Sequence, residues 1–231
     1  MKKIAKNQFI GEYEIPHFIC DGLIELHKAT PMTPQQVLDR QPGYPIFKRP
    51  GRLGENLVIP EWKDSIDVYV NPGVINDPKI AGPQFYEQVK MINIYWIELC
   101  MLMHKYAQDL CYEDAEIGHM KDEIFSKIKI TEGVNIQYYP PGGGYHRWHT
   151  ERSGAQFMRE FVYMTYLNDV PKGGTEFYYQ EKTFEAKKGN TLIWPAHYTH
   201  LHRGQITKEH EKYIATGWLS YPNKWDPVAT V

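Results

Sequence analysis

The chain has 231 residues, 42% of them hydrophobic, with a formal net charge of −2. That content supports a packed core and argues against disorder, and so small a charge carries no signature of nucleic-acid or anionic-membrane binding. Three cysteines, Cys20, Cys100 and Cys111, stand apart with no CxxC pair, so they read as reduced thiols in a reducing compartment.

The N-terminus starts basic but lacks an apolar run of secretory length. Residues 21–29 (DGLIELHKA) predict a short helix with Asp21 as its N-cap. Nine of the sixteen prolines then fall between Pro31 and Pro83, among several glycines, and only DSIDVYV at 64–70 looks like strand in that stretch. Residues 83–112 predict a long helix, with Val89, Ile92, Trp96, Leu99, Met103, Tyr106 and Leu110 recurring at threes and fours. Glu87, Lys90, Glu98, His104 and Lys105 interrupt it, which excludes a comfortable membrane span and leads us to expect a soluble, cytoplasmic protein.

From about residue 124 the texture changes to short β-like runs: IFSKIKI, VNIQYY, YHRWHTE, REFVYMTYLN, GTEFYYQ, TFEA, NTLIWPA, THLHRGQI and EKYIATGWLSY. Many short strands with frequent turns predict a barrel or sandwich. The expected fold is therefore α+β and a single domain over 1–231, with residues 1–123 as helical support and loops and 124–221 as the β core.

The chemistry concentrates at His149-Thr150-Glu151. On an extended segment, period-2 alternation sends His149 and Glu151 to one side and Trp148 and Thr150 to the other. An imidazole and a carboxylate on one face, joined by a distant histidine, make the two-His-one-carboxylate triad that leaves positions on Fe(II) open. HxE alone is a weak signal in a chain with ten histidines. Its surroundings sharpen it: Tyr138-Tyr139-Pro140-Pro141-Gly142-Gly143-Gly144 precede, and Tyr166-Leu167-Asn168 and Gly173-Gly174-Thr175-Glu176-Phe177 follow. Trp194-Pro195, then four residues and His200, and Lys212-Tyr213-Ile214-Ala215-Thr216-Gly217-Trp218 complete the series.

This order of motifs, over roughly residues 124–221, resembles the prolyl 4-hydroxylase branch of the 2-oxoglutarate/Fe(II) dioxygenases. The resemblance implies a double-stranded β-helix (jelly-roll) core, buttressed by N-terminal helices, with the metal at its mouth. It implies iron ligands at His149, Glu151 and His200, with Tyr139, Tyr166 and Lys212 binding 2-oxoglutarate. The cofactors implied are Fe(II), 2-oxoglutarate and O2, with ascorbate as a further candidate. The chain departs from the family in carrying Glu151 where Asp is usual. Among the flanking histidines, His146 and His197 read as supporting or surface groups, while His202 shares parity with His200 and stands as the alternative ligand. Arg147 shares the face of His149 and Glu151.

Lys212 can also be read without the resemblance. It shares a strand face with Ile214, Thr216 and Trp218, and an ammonium on an apolar inner face needs an anion. Thr216 is then expected as a second donor to that anion. The expected substrate is a prolyl residue of a peptide or protein, with a small molecule or another residue type as the other choices. Two competing readings remain, a cupin-like metal module and a catalytically silent oxygenase fold. Residues 31–80 are expected to form a lid or a passive connector, with Tyr44, Phe47, Lys48, Arg49 and Arg52 as the first places to look for substrate contacts.

Overall fold

A computed structural model describes residues 8–40, 45–53, 57–73, 83, 86–111 and 118–222. Seven strands build a major sheet. Across it run β1 (Gly11–Glu14), β10 (Asn190–Pro195), β7 (Arg159–Tyr166), β12 (Lys212–Ser220), β5 (Val134–Tyr139), β4 (Ile66–Val70) and β2 (Ile46–Pro50). A minor sheet holds β11 (His202–Gly204), β8 (Val170–Phe177) and β9 (Lys182–Ala186), and β3 (Lys63–Asp64) pairs with β6 (Gly144–Tyr145). All strand pairings are antiparallel.

The period-2 pattern of the strands divides the molecule into two cores. On β7, Phe161 and Tyr163 join the core on the helical side, while Val162, Met164 and Tyr166 join the core between the sheets. On β12, Tyr213, Ala215 and Leu219 face the helices and Ile214 faces the minor sheet. The helical side is closed by α1 (His17–Ala29) and, after the short α2 (Gln35–Arg40), by α3 (Tyr86–Cys111). On α3, Val89, Ile92, Tyr95, Trp96, Leu99 and Tyr106 are buried, while Ile94, Ile97 and Met101 on the opposite face are exposed. The predicted stripe is thus the face that packs. Tyr95 pushes its hydroxyl into the sheet, where it bonds Thr165 Oγ1 at 3.0 Å, and Thr165 bonds Thr191 at 2.8 Å. No hydroxyl of that chain is buried without a partner, which removes the usual cost of polar atoms in a core.

Several expectations shift. The first helix begins at His17, with Pro16 at its N-cap position, so Asp21 lies inside it and does not cap it. Proline's fixed φ and missing N–H suit the mouth of a helix, and burial of Ile19, Cys20, Leu23 and Leu26 sets its face. IFSKIKI is no strand: α4 (Met120–Phe125) runs into it, and only Lys129 bridges, to Ser220. The N-terminal part supplies strands as well as helices. β2 and β4 extend the major sheet past β5 and β1 caps its other edge, with Ile46 and Val68 buried in the helical-side core. Of the expected lid residues, Tyr44 lies outside the described residues, while Phe47, Lys48 and Arg49 are on β2.

Candidate metal centre and cosubstrate pocket

The HxE segment is short and irregular, held by single contacts instead of a long ladder. His149 N donates to His202 O at 3.0 Å and His202 N returns a bond to His149 O at 3.1 Å, so the two histidines are direct cross-strand partners. Thr150, on the other side as period 2 requires, donates its hydroxyl to Ala196 O at 2.7 Å and ties the segment to the end of β10. His149 and Glu151 therefore turn inward together.

The result is a three-residue cluster of His149, Glu151 and His202, whose ligand-type atoms all lie within 4.8 Å of one another. Glu151 Oε1 is 3.3 Å from His149 Nε2 and 3.4 Å from His202 Nε2. Each imidazole contacts through Nδ1 the carbonyl two residues before it, Arg147 O at 3.0 Å and His200 O at 2.9 Å. That contact places the proton on Nδ1 and leaves each Nε2 lone pair facing the carboxylate, as metal-ligating histidines are normally oriented. Burial, reinforced by the neighbouring His202, pushes His149 down toward the neutral form. Burial pushes the Glu151 carboxyl up, but hydrogen bonding and positive charge from the two histidine rings outweigh it and hold the group well below the usual carboxylate range, a part that a bound metal ion would take over. Neutral imidazoles and an ionised carboxylate are the forms a divalent metal binds.

His200 does not join this cluster, which corrects the expected ligand set. It sits in a 3-10 turn, Tyr198–His200, with Nε2 on Gln8 O at 2.8 Å and Nδ1 on Thr199 Oγ1 at 3.0 Å. The strand begins only at His202, whose backbone pairs with His149. The family resemblance pointed to the turn, and strand pairing selects the residue beyond it. Arg147 is also displaced from the expected face, lying exposed with its guanidinium 3.6 Å over the Trp62 ring.

The carboxylate is positioned by residues that spacing did not reveal. Trp218 Nε1 donates to Glu151 Oε2 at 3.0 Å. Arg159 lies 3.6 Å above the Trp218 ring, donates to Glu151 O at 3.2 Å and is itself held by Glu132, with Nε on Oε1 at 2.6 Å. Tyr145 stacks on His149 with centroids 3.6 Å apart. The one available signal was that Trp218 shares its strand face with Lys212 and Thr216.

All of these groups line a cavity of about 430 Å³, within the range of small-molecule sites. Lys212 lies in its wall, 5% exposed. Its ammonium donates to the carbonyls of Gly173 and Gln205, each at 3.2 Å, and no carboxylate among the described residues pairs with it. Burial lowers its pKa to about 8. Gly204 makes the room, since a Cβ there would stand 3.1 Å from Lys212 Nζ. Gly204 is two residues past His202 on β11, a step of about 7 Å along a strand. The edge that carries the His–Glu–His cluster and an ammonium with no carboxylate partner among the described residues are therefore spaced for a short dicarboxylate that bridges them.

The expected hydroxyls are present with specific commitments. Tyr139 lines the cavity and donates to Gln137 Oε1 at 2.6 Å, with its ring 5.2 Å from Lys212 Nζ. Tyr166 donates to Thr175 Oγ1 at 2.6 Å, which leaves the Thr175 proton for the cavity. Thr216 also lines the cavity, but it gives its single proton to Tyr163 O at 2.9 Å, so it is not the second donor expected beside Lys212. Thr175 is placed to take that part.

Known proteins agree with this geometry. The family model of the 2OG-Fe(II) oxygenase superfamily matches residues 134–220, the span that holds the cluster and Lys212. No curated protein sequence matches the chain. Among solved structures, a Pseudomonas putida prolyl-4-hydroxylase superposes with a TM-score of 0.57 at 13% identity, covering 94% of this chain and 95% of that one. A viral collagen prolyl hydroxylase from Paramecium Bursaria Chlorella virus-1, in a 2OG complex, gives 0.52 at 17% identity, over 95% and 99%. A Trichoplax adhaerens prolyl hydroxylase, bound to a peptide fragment of the hypoxia inducible factor oxygen degradation domain, gives 0.58 at 13%, over 93% and 84%. At such identities these likenesses concern the fold, a double-stranded β-helix. The span matched by the 2OG-Fe(II) oxygenase family model holds the His–Glu–His cluster and Lys212.

Proposed function

We propose that the chain hydroxylates a prolyl residue of a peptide or protein, using iron held by His149, Glu151 and His202 and 2-oxoglutarate held by Lys212. The observation that carries the metal assignment is the convergence of two Nε2 atoms and one carboxylate, each imidazole anchored through Nδ1. The iron, with 2-oxoglutarate and O2, supplies the oxidising power to hydroxylate an unactivated C–H, with succinate and CO2 released.

The chain's own residues do the rest. Lys212 neutralises the distal carboxylate of the cosubstrate, and Thr175, polarised by Tyr166, donates a second hydrogen bond. Trp218 and Arg159 hold Glu151 so that one oxygen stays turned to the histidines. A cupin-like metal module would leave the buried Lys212 ammonium without a purpose, and a silent fold would have no need to keep all these groups aligned. Support for a prolyl substrate comes from the three solved structures of like fold described above, each a prolyl hydroxylase, one of them in complex with a peptide.

The decisive experiment is anaerobic addition of Fe(II) and 2-oxoglutarate to the purified protein, followed by O2 and proline-containing peptides. A weak visible charge-transfer band should appear with iron and cosubstrate together. Succinate should then form in step with hydroxyproline. No band under saturating iron and cosubstrate would sink the cofactor assignment; a band without hydroxyproline from any peptide would sink only the substrate.

A further inference from the structure

The cavity extends past the metal cluster to the far edge of the major sheet, where β2 and β4 lie. Its walls there are charged, and most of the charges are already matched. Lys63 Nζ pairs with Asp67 Oδ2 at 2.7 Å, both deeply buried. Asp67 is further committed, since Ser65 donates to Oδ1 at 2.8 Å and Gln137 to Oδ2 at 3.3 Å. Arg159 is held by Glu132, and Lys212 faces the cosubstrate end.

Arg49 is the exception. It stands on β2 directly opposite Asp67 and lines the cavity, yet no carboxylate among the described residues pairs with its guanidinium. Its guanidinium lies over the Phe47 ring, 4.9 Å from the centroid. Burial and the nearby Arg52 work against its charge and are only partly offset by Asp67 and Tyr69, and an arginine cannot relieve the balance by losing its proton. Arg52 lines the same wall and donates to Gln35 Oε1 at 2.6 Å. The β2–β4–β5–β12 register sets Arg49, Asp67, Gln137 and Ile214 in one row across the sheet. Arg49 is thus three strand spacings, about 14 Å, from the β12 backbone. That backbone separation sets it apart from Lys212, which faces the cosubstrate end.

We propose that Arg49 is a specificity residue that binds a carboxylate of the substrate, so that this enzyme selects acidic substrates. The assignment rests on the oxygenase reading above and adds the substrate's charge to it. The carboxylate has two sources of the same chemistry, an acidic side chain beside the target residue in a peptide, or the main-chain carboxylate of a free amino acid. A guanidinium reads either through two parallel N–H bonds, which an amide of equal size cannot match.

Matched acid and amide pairs test this. One arm uses proline-containing hexapeptides differing only in Glu or Gln beside the proline; the other uses free amino acids and their primary amides. Binding to the anaerobic Fe(II)/2-oxoglutarate protein is measured by calorimetry, and substrate-driven succinate release by turnover. The acid should bind about 10- to 100-fold more tightly than its amide, the range expected for a charge-assisted hydrogen bond. Arg49→Gln should erase that preference, and Arg49→Lys should restore part of it, with thermal midpoints confirming that both variants fold. A preference confined to one arm identifies the source of the carboxylate. Equal binding of acid and amide in both arms, or a preference untouched in Arg49→Gln, overturns the proposal. Failure of the oxygenase reading shows separately, as loss of the charge-transfer band in the unaltered protein.

Discussion

The two faces of the seven-stranded sheet are built from the same strands, often from adjacent residues, and they have opposite characters. The face toward α1 and α3 is apolar, and its polar atoms include the closed chain Tyr95–Thr165–Thr191. The face toward the minor sheet holds a lysine and an arginine with no carboxylate partner among the described residues, and a carboxylate between two histidines. On the first face folding free energy is gained; on the second, buried charges cost stability and are retained for the ligands that will satisfy them. Substitutions on the two faces should therefore separate stability from chemistry.

The sharpest break lies between two histidines two residues apart. His202→Ala should abolish iron retention and 2-oxoglutarate turnover while the protein stays folded, because it removes one of three converging ligands. His200→Ala should keep iron and most turnover, since its ring is bonded to Gln8 O and Thr199. Iron content by metal analysis, beside succinate release, reads both. The reverse result would return the ligand role to His200.

On the other face, Leu99→Ala should lower stability by about 2–5 kcal/mol, the usual loss for a fully buried leucine. Affinity for 2-oxoglutarate should stay at its ordinary value below the melting transition. Denaturant unfolding with a parallel cosubstrate titration checks the pair. A matching loss of affinity would show that the two faces are coupled and the contrast too simple.

Lys212→Ala should weaken 2-oxoglutarate binding by about 2–5 kcal/mol, leaving a carboxylate unpaired in a buried site, with iron content unchanged. The same lysine sets a gentler pH response. Its folded pKa, about 8, lies below the 10.5 of an unburied lysine. Between those values the unfolded chain binds the extra proton, so this group makes stability rise with pH there. Cosubstrate binding needs the ammonium and moves the other way, weakening by up to about tenfold per pH unit above 8. Lys212→Arg should flatten that slope, because the guanidinium keeps its charge. A slope unchanged in Lys212→Arg would remove Lys212 from the assignment.

Local pattern made much of this architecture legible. The 3.6-residue stripe of α3 and the period-2 strands from Val134 to Ser220 follow from which side chains must leave water, and that is written residue by residue. The pairing of His149 with Glu151 and the placing of Lys212 on an inner face needed only alternation along one strand. β2 was missed because its five residues lie among prolines and glycines that hide any alternation, and it is a strand because β4 pairs with it. The third member of the cluster was out of reach for the same kind of reason. His200 and His202 have equal parity, and only the 3-10 turn ending at His200, with the backbone pairing of His202 to His149, separates them. Gly204, Thr175, Trp218 and Arg49 likewise acquire their roles from strands distant in sequence. Period and burial are local properties of the chain, whereas which side chains meet across a cavity depends on strand register, and register exists only once the sheet has formed.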